Sequence, residues 1–412
     1  MNKKKIINDP VYGFITVPSD LIFDLIAHPY FQRLRNIKQL GMTHLVYPGA
    51  LHTRFHHALG AMHLMGMAIE TLKTKGHDIS SAEEEAVTIA ILLHDIGHGP
   101  YSHALEHTIV EGISHEHISV LLMDNLNRQF DNKLSLALDI FNNKYHKSFL
   151  HQLVSGQMDI DRLDYLNRDS FFTGVSEGIV GFDRIIKMLD VADGQLAIEV
   201  KGIYSVEKFL IARRLMYWQV YLHKTVVAAE QMLVKILDRA KYLAGRGKTL
   251  FATPNFSYFL NNQVTKVDFK ENPQTLECFT LLDDYDIYTS VKVWASDDDF
   301  ILSTLCKSLL SRNLYHVEIT NEPPDKELEA SLVIKAMEMY PIAENEVSYF
   351  VFTDTLKNNA YRAGAENINI LMKDGTVKDI AKASDNSSLE ALSNTVEKHI
   401  LCFVKDLKHT EE

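Results

Sequence analysis

Cysteine is scarce in this chain of 412 residues: Cys278, Cys306 and Cys402 lie far apart and form no CxxC pair. That spacing argues against a disulfide framework and a cysteine-built zinc site, and it suits a reducing, cytoplasmic setting. Long apolar runs are lacking as well. No stretch approaches the roughly 20 apolar residues needed to span a bilayer, and the basic opening MNKKKIINDP has no apolar signal-peptide core, so no membrane partner is expected. Positive charge is in deficit, with 42 Lys and Arg against 54 Asp and Glu, a net charge of −12. A broad basic surface for duplex nucleic acid, which must neutralise many phosphates, is not expected, whereas a nucleotide needs only a few local cations. There is no internal repeat at solenoid periods and no low-complexity segment.

What the chain does have is a hydrophobic content of 46%, enough to bury a large core. Most of residues 15–250 reads as helix. LIFDLIAHPYFQRLRNIKQLG and AEEEAVTIAILLHDIGH carry apolar residues at three- and four-residue intervals, the second with an acidic first turn. The run from Ile179 reads as a helix, a hairpin at Asp193-Gly194 and a long helix pair. FATPNFSYFLNNQ reads as irregular, and helical periodicity returns from DDYDIYTS through LYHVEI. Beyond Pro323 a helix, KELEASLVIKAMEMY, mixes with strand-like EVSYFVFTDT and NINILMKDGTVKDIA, where Asp374-Gly375 signals a hairpin. The expected class is mostly α: a catalytic helical core over 1–250, a helical extension over 251–322 completing the core or an oligomer interface, and a small α+β region over 323–412.

Histidine is concentrated, with 11 of the 19 between His52 and His117. A lone histidine on a helix is ordinarily structural, but the spacing here is specific. His94 and His98 are four apart and read as one helix face, with Asp95 beside them and the apolar run AVTIAILL carrying that face inward. A buried charge needs a partner, which points to a metal. Asp161, Tyr165 and Asp169 also recur every four residues. That segment is equally readable as an exposed acidic helix with Arg162 and Arg168 as ion-pair partners. Two imidazoles, His57 and His94, with two carboxylates, Asp95 and Asp161, could ligate one divalent cation, and His-Asp adjacency followed by further histidines suggests metal-assisted phosphate hydrolysis.

In chain order, NDPVYGFI, PYFQRLRNIKQLG, YPGALHTRFHHALG, HDIGHGPYSH, SHEH and MDIDRLDYLNRD resemble the HD-domain deoxynucleoside triphosphate triphosphohydrolases, the family of the mammalian SAM-and-HD-domain protein and many bacterial enzymes. The resemblance spans about Lys5 to Asn313. It implies an HD-domain helical core that hydrolyses a dNTP to deoxynucleoside and inorganic triphosphate, with His57, His94, Asp95 and Asp161 holding one Mn²⁺, Fe²⁺, Mg²⁺ or Zn²⁺, and further Mg²⁺ accompanying the nucleotide phosphates. It implies a proton supplied or relayed by His103, oriented by Glu106, and phosphate contacts from His98 and His115 supported by Glu116. Arg54, Arg162 and Arg213 would hold the triphosphate, Gln39 and Asp169 would meet the sugar, Tyr165 would crowd its 2′ carbon, and Tyr221 would stack on the base. Leu222 departs from a family glutamine beside the base.

The resemblance further implies a homotetramer with nucleotide activator sites built from Lys5, Asn8, Gln32, Arg35, Arg184, Lys187, Lys201, His223, Lys224 and Arg312. Ala27 stands where the family has the aspartate that recognises guanine, so another nucleotide, such as dATP rather than GTP, is the expected activator. Two other classes compete: an HD phosphohydrolase for another ester (a nucleoside monophosphate, cyclic dinucleotide or alarmone), and a non-catalytic nucleotide sensor on a degenerate HD fold. The sensor predicts lost ligands, and none is missing.

Overall fold

The computed structural model describes residues 5–101, 108, 110, 112–358, 367–385 and 396–408. Its centre is the 21-residue helix Arg54–Thr74. It begins where the Thr53 backbone N–H donates to His56 Nδ1 at 3.2 Å, a capping box with histidine in the acceptor place. Buried residues run along it from Phe55 and His57 to Leu72, and it packs against Ser81–Leu93 and Ile160–Thr173. Ser81–Leu93 is held at its start by a Ser80–Glu83 capping box, and Glu83 also accepts from Tyr145 Oη at 2.7 Å and pairs with Lys147 at 2.8 Å. Ile160–Thr173 approaches the central helix closely because residue 60 is glycine. A Cβ there would stand 2.0 Å from Arg168 Nη2 and 2.1 Å from Asp164 Oδ1.

The mostly α class is what the structure has, with small sheets concentrated toward the C-terminus. The hairpin at Asp193-Gly194 joins Leu189–Ala192 to Gln195–Glu199, both turn residues taking positive φ (51° and 73°). Helices Ile203–Met216 and Lys224–Gly245 follow, separated by a π-helical turn at Tyr217–Tyr221. Asp374-Gly375 likewise turns Asn369–Leu371 into Val377–Asp379. The two hairpins form one four-stranded sheet, in which Gln195–Glu199 pairs in parallel with Asn369–Leu371. In a second sheet Val396–Phe403 lies between His316–Thr320 and Val351–Asn358, all antiparallel, and this sheet rests on Lys224–Gly245. One hydrophobic core extends from Ile15 to Leu407.

Three local expectations change. FATPNFSYFLNNQ contains the helix Pro254–Asn261, with proline at its start, where a missing N–H costs nothing. The run LIFDLIAHPYFQRLRNIKQLG is broken: Asp20–Ala27 stops ahead of Pro29, which disfavours a helical residue before it, and short turns at Pro29–Gln32 and Arg33–Asn36 follow. The segment HVEIT is strand rather than helix. Among the described residues no helix is long and apolar enough to cross a membrane.

Candidate metal centre and its cavity

Three elements deliver the metal-ligating candidates. His57 lies one turn into Arg54–Thr74, His94 and Asp95 follow the end of Ser81–Leu93, and Asp161 opens Ile160–Thr173, whose N-cap Asp159 accepts from Arg162 N at 2.8 Å. The expected helix face shared by His94 and His98 does not form, because the chain turns at His94–Gly97. The first turn of His115–Gln129 seats against this bend so closely that a Cβ on Gly97 would lie 2.3 Å from His115 O and from Ser119 N. Ser119 Oγ donates to His94 O at 2.7 Å and accepts from Gly97 N at 2.9 Å, while Arg33 Nη2 donates to Ile96 O (2.8 Å) and His98 O (2.9 Å). The bend thus brings both histidines against Asp95 Oδ1, at 3.4 Å from His94 Nε2 and 3.3 Å from His98 Nε2.

Three of the four candidate ligands, His57, His94 and Asp161, bring ligand atoms within 4.8 Å of one another, while Asp95 stands beside them in a second such group with His98 and His115. His57 Nε2 and His94 Nε2 are 3.3 Å apart, and Asp161 Oδ1 is 3.0 Å from the first and 3.4 Å from the second. Asp95 Oδ1 is 3.4 Å from His94 Nε2, and its Oδ2 is 3.9 Å from His57 Nε2. Each ring's other nitrogen is engaged: His57 Nδ1 with Asp164 Oδ2 at 2.7 Å, His94 Nδ1 with Ile91 O at 2.6 Å. With Nδ1–H donating outward, both Nε2 lone pairs face inward toward the carboxylates, the arrangement expected of imidazole ligands. The set of two nitrogens and two carboxylates fits a divalent cation. The same carboxylates also favour protons on the two rings. Burial opposes a charged His57, but hydrogen bonds with Asp161 and Asp164 outweigh it and push the ring up to about 10. His94 is raised against burial by Asp95 and Asp161, and Asp161 is lowered against burial by both histidines. A bound cation would displace those protons.

Asp95 also faces a second cluster. Its Oδ2 accepts from Arg54 Nη1 at 2.5 Å, its Oδ1 is 3.3 Å from His98 Nε2, and His98 stacks on His115 with ring centroids 3.8 Å apart. Burial first, then the Arg54 charge, lowers the His98 pKa well below that of a free histidine.

Behind His57 runs a buried chain that the sequence reading did not single out. Asp164 accepts from Arg168 Nε at 2.8 Å, and Arg168 Nη1 donates to Asp9 Oδ2 at 2.8 Å, where Asp9 caps its own turn by accepting from Val11 N and Tyr12 N. Burial would raise the Asp164 pKa, yet Arg168 and His57 together hold it below the usual carboxylate value. Arg168 is therefore a buried brace rather than an ion-pair partner on an exposed acidic helix. Only the four-residue spacing of Asp164 and Arg168 hinted at it in the sequence.

The centre opens into a cavity of about 600 Å³ whose wall includes Gln39, Arg54, Asp95, His98, His115, Asp161, Arg162, Tyr165, Asp169 and Tyr221, together with Tyr101, Leu222 and Glu230. Arg162 is steadied by Gly156 O (2.7 Å) and Asp159 (3.1 Å). Asp169 is held on both oxygens, by His52 Nε2 at 2.8 Å and Tyr221 Oη at 2.7 Å, and His52 is another residue the sequence reading passed over. Tyr165 meets Tyr221 edge-on. Arg213 is buried beside the wall, 3.4 Å from Gln157 Oε1, where its charge acts on the Tyr165 phenol. Glu116 is largely exposed, 3.8 Å from His115. His103 and Glu106 lie outside the described residues.

The activator candidates are dispersed over a single chain. Lys5 and Asn8 belong to the N-terminal hairpin region, with Lys5 over Phe23. Gln32 accepts from Arg35, which stacks on Phe55 at 3.6 Å. Arg184 donates to Lys201 O, with Lys187 on the same short helix Phe182–Met188. His223 caps the helix that Lys224 begins, and Arg312 donates to Leu45 O.

Residues 54–169 match the HD domain, and residues 180–247 match the HD associated region. A crystal structure of a phosphohydrolase from Bacteroides thetaiotaomicron resembles this chain with a TM-score of 0.94 and 54% identity, over 97% of this chain and 100% of that one. The chain belongs to the HD-domain phosphohydrolases. This HD-domain phosphohydrolase is also 33% identical to the uncharacterized protein YwfO of Bacillus subtilis, over 100% of this chain and 96% of that protein. It is 30% identical to the Dictyostelium discoideum homolog of the deoxynucleoside triphosphate triphosphohydrolase SAMHD1, over 66% of this chain and 56% of that protein. All four candidate metal ligands fall within the HD match, whereas Arg213, Tyr221 and Glu230 fall within the associated region.

Proposed function

We propose that this HD-domain phosphohydrolase hydrolyses deoxynucleoside triphosphates to deoxynucleoside and inorganic triphosphate at a centre formed by His57, His94, Asp95 and Asp161. The observation that carries the proposal is that Asp95 and Asp161 of this set line the same cavity as two guanidinium groups and a wall combining aromatic rings with a fixed carboxylate. A divalent cation, Mn²⁺, Fe²⁺, Mg²⁺ or Zn²⁺, would supply positive charge against the phosphates and lower the pKa of attacking water.

The chain's own groups do the rest. Arg54 and Arg162 present planar donors suited to phosphate oxygens. Asp169, its two oxygens oriented by His52 and Tyr221, keeps lone pairs for a sugar hydroxyl. Tyr165, kept neutral by burial, fills space beside the sugar, and Tyr221 offers a ring face to the base. His98, stacked on His115 and set against Asp95, places imidazole rings beside Arg54 at the phosphate end. His103, with Glu106, is assigned protonation of the departing 5′-oxygen. The likeness to a protein described as a deoxynucleoside triphosphate triphosphohydrolase supports the same substrate class.

Homotetramer formation and activation by a nucleotide belong to the same proposal. Ala27, exposed at the end of Asp20–Ala27, offers no carboxylate to guanine, which supports dATP over GTP as activator.

Turnover of the four dNTPs, singly and mixed, with Mg²⁺ or Mn²⁺ tests this. Deoxynucleosides with equimolar inorganic triphosphate are the expected products, and turnover confined to mixtures identifies activation. Monophosphate products, or no dNTP turnover, would move the chain to another phosphate ester.

A further inference from the structure

Glu230 lies on Lys224–Gly245 and lines the same cavity. Its Oε1 stands 3.4 Å from where a Cβ on Gly41 would be, and Tyr101 O is 4.0 Å from the same point. Gly41 has φ +48°, so the glycine both permits the turn and leaves that oxygen uncovered. The other carboxylates deep in the wall are answered: Asp95 by Arg54, Asp161 by His57, Asp169 by His52 and Tyr221. Among the described residues Glu230 meets neither a cation nor a hydrogen-bond donor. Burial pushes its carboxyl up to about 7, although part of the side chain stays open to the cavity.

Half-buried on the cavity wall and without a partner among the described residues, this carboxyl would be answered by a ligand that brings N–H groups. A phosphate would repel it. The part of a nucleotide that supplies N–H groups is the base. Building on the dNTP reading above, we propose that Glu230 is a specificity-determining residue that reads the base and favours guanine. A carboxylate presents two acceptors, which match the adjacent N1–H and 2-amino donors of guanine, whereas adenine and cytosine place a donor beside an acceptor.

The test is Glu230→Gln, which preserves shape but replaces two acceptors by one acceptor and one donor. For purified wild type and variant, kcat/KM is measured for each dNTP with product identification. The variant is expected to lose about tenfold or more on dGTP relative to dATP and dCTP while still releasing inorganic triphosphate. An equal fall for all four dNTPs, or no change, would overturn the assignment. If wild type releases no triphosphate from any dNTP, the catalytic reading fails separately. Calorimetric binding of deoxyguanosine and deoxyadenosine to both proteins then decides base reading alone, and a guanine-to-adenine affinity ratio unaltered by the substitution refutes it.

Discussion

Replacing Asp164 by asparagine probes the support of the metal centre without touching a ligand. Asp164 is fully buried and accepts three hydrogen bonds, from His57 Nδ1 (2.7 Å), Arg168 Nε (2.8 Å) and Arg168 Nη2 (3.0 Å). Asparagine has one carbonyl oxygen for these three donors, and its amide sets N–H against N–H on the other side. Breaking a buried ion pair by removing one partner costs about 3–5 kcal/mol, and the lower figure applies because Asp9 still pairs with Arg168. Losing the carboxylate behind a ligating imidazole lowers metal affinity roughly 10- to 100-fold. Both effects are readable separately: Mn²⁺ affinity by calorimetric titration at fixed pH, and stability by denaturant unfolding in excess EDTA. Asp9→Asn is the companion variant, since it weakens the hold on Arg168 but leaves the His57–Asp164 bond in place. It should lose stability and keep most of its metal affinity. If Asp164→Asn is destabilised yet binds Mn²⁺ like wild type, the carboxylate does not prepare His57. Equal metal loss in both variants would mean that general loosening, not ring orientation, is responsible.

Other outcomes follow from the same geometry. His94→Ala should abolish metal binding and turnover, and an active variant would refute the assigned centre. Gly60→Ala should lower stability by about 1–3 kcal/mol from overpacking, less up to about 1 kcal/mol of helix propensity, with weakened metal binding, because its Cβ lands on the Asp164–Arg168 pair; a thermal melt and a Mn²⁺ titration check it. Glu83 is held down to about 2 from 4.5, since Lys147, Ser80 and Tyr145 outweigh burial, so it stabilises fully above about pH 4.5 and loses that contribution as pH falls toward 2. Glu83→Gln should therefore be about 2–3 kcal/mol less stable at pH 7, and unfolding curves should converge with wild type on acidification; a pH-independent deficit would refute the linkage.

The chemistry of this chain was more legible than its support. His57, His94, Asp95 and Asp161 stand out because histidine and aspartate rarely cluster beside apolar segments such as AVTIAILL. The hairpins at Asp193-Gly194 and Asp374-Gly375 are readable because turn backbones of this kind favour such residues. The bend at His94–Gly97 was not, since an apolar run followed by histidines four apart looks like continuing helix. What breaks it is tertiary, the seating of Ser119 and His115 against Gly97. The Asp164–Arg168–Asp9 chain was invisible for a similar reason: 159 positions separate Arg168 from Asp9, and each residue alone looks like a solvated charge. Glu230, on the amphipathic helix Lys224–Gly245, gains meaning only from the opposite wall at Gly41, which is 189 positions away in the chain.

The C-terminal strands bear on the helices that carry the site. Glu199 ends the strand that pairs in parallel with Asn369–Leu371, and its carboxylate accepts from Lys75 Nζ at 2.5 Å. Lys75 Nζ also donates to Leu189 O at 2.7 Å. Lys75 is the C-cap of Arg54–Thr74, a helix about 30 Å long whose first turn holds Arg54 and His57. The second sheet rests on Lys224–Gly245, where Lys235 lies over Phe352 and Gln231 donates to Asp354, one residue along from Glu230. A continuous helix transmits a displacement along its axis with little loss, so position at the far end of Arg54–Thr74 is set in part by strands that the sequence places some 300 residues later. The same C-terminal region is tied to the first of these helices through the strand that ends at Glu199 and packs on the second through Phe352 and Asp354. It therefore braces two helices that carry residues of the cavity wall, Arg54 on one and Glu230 on the other.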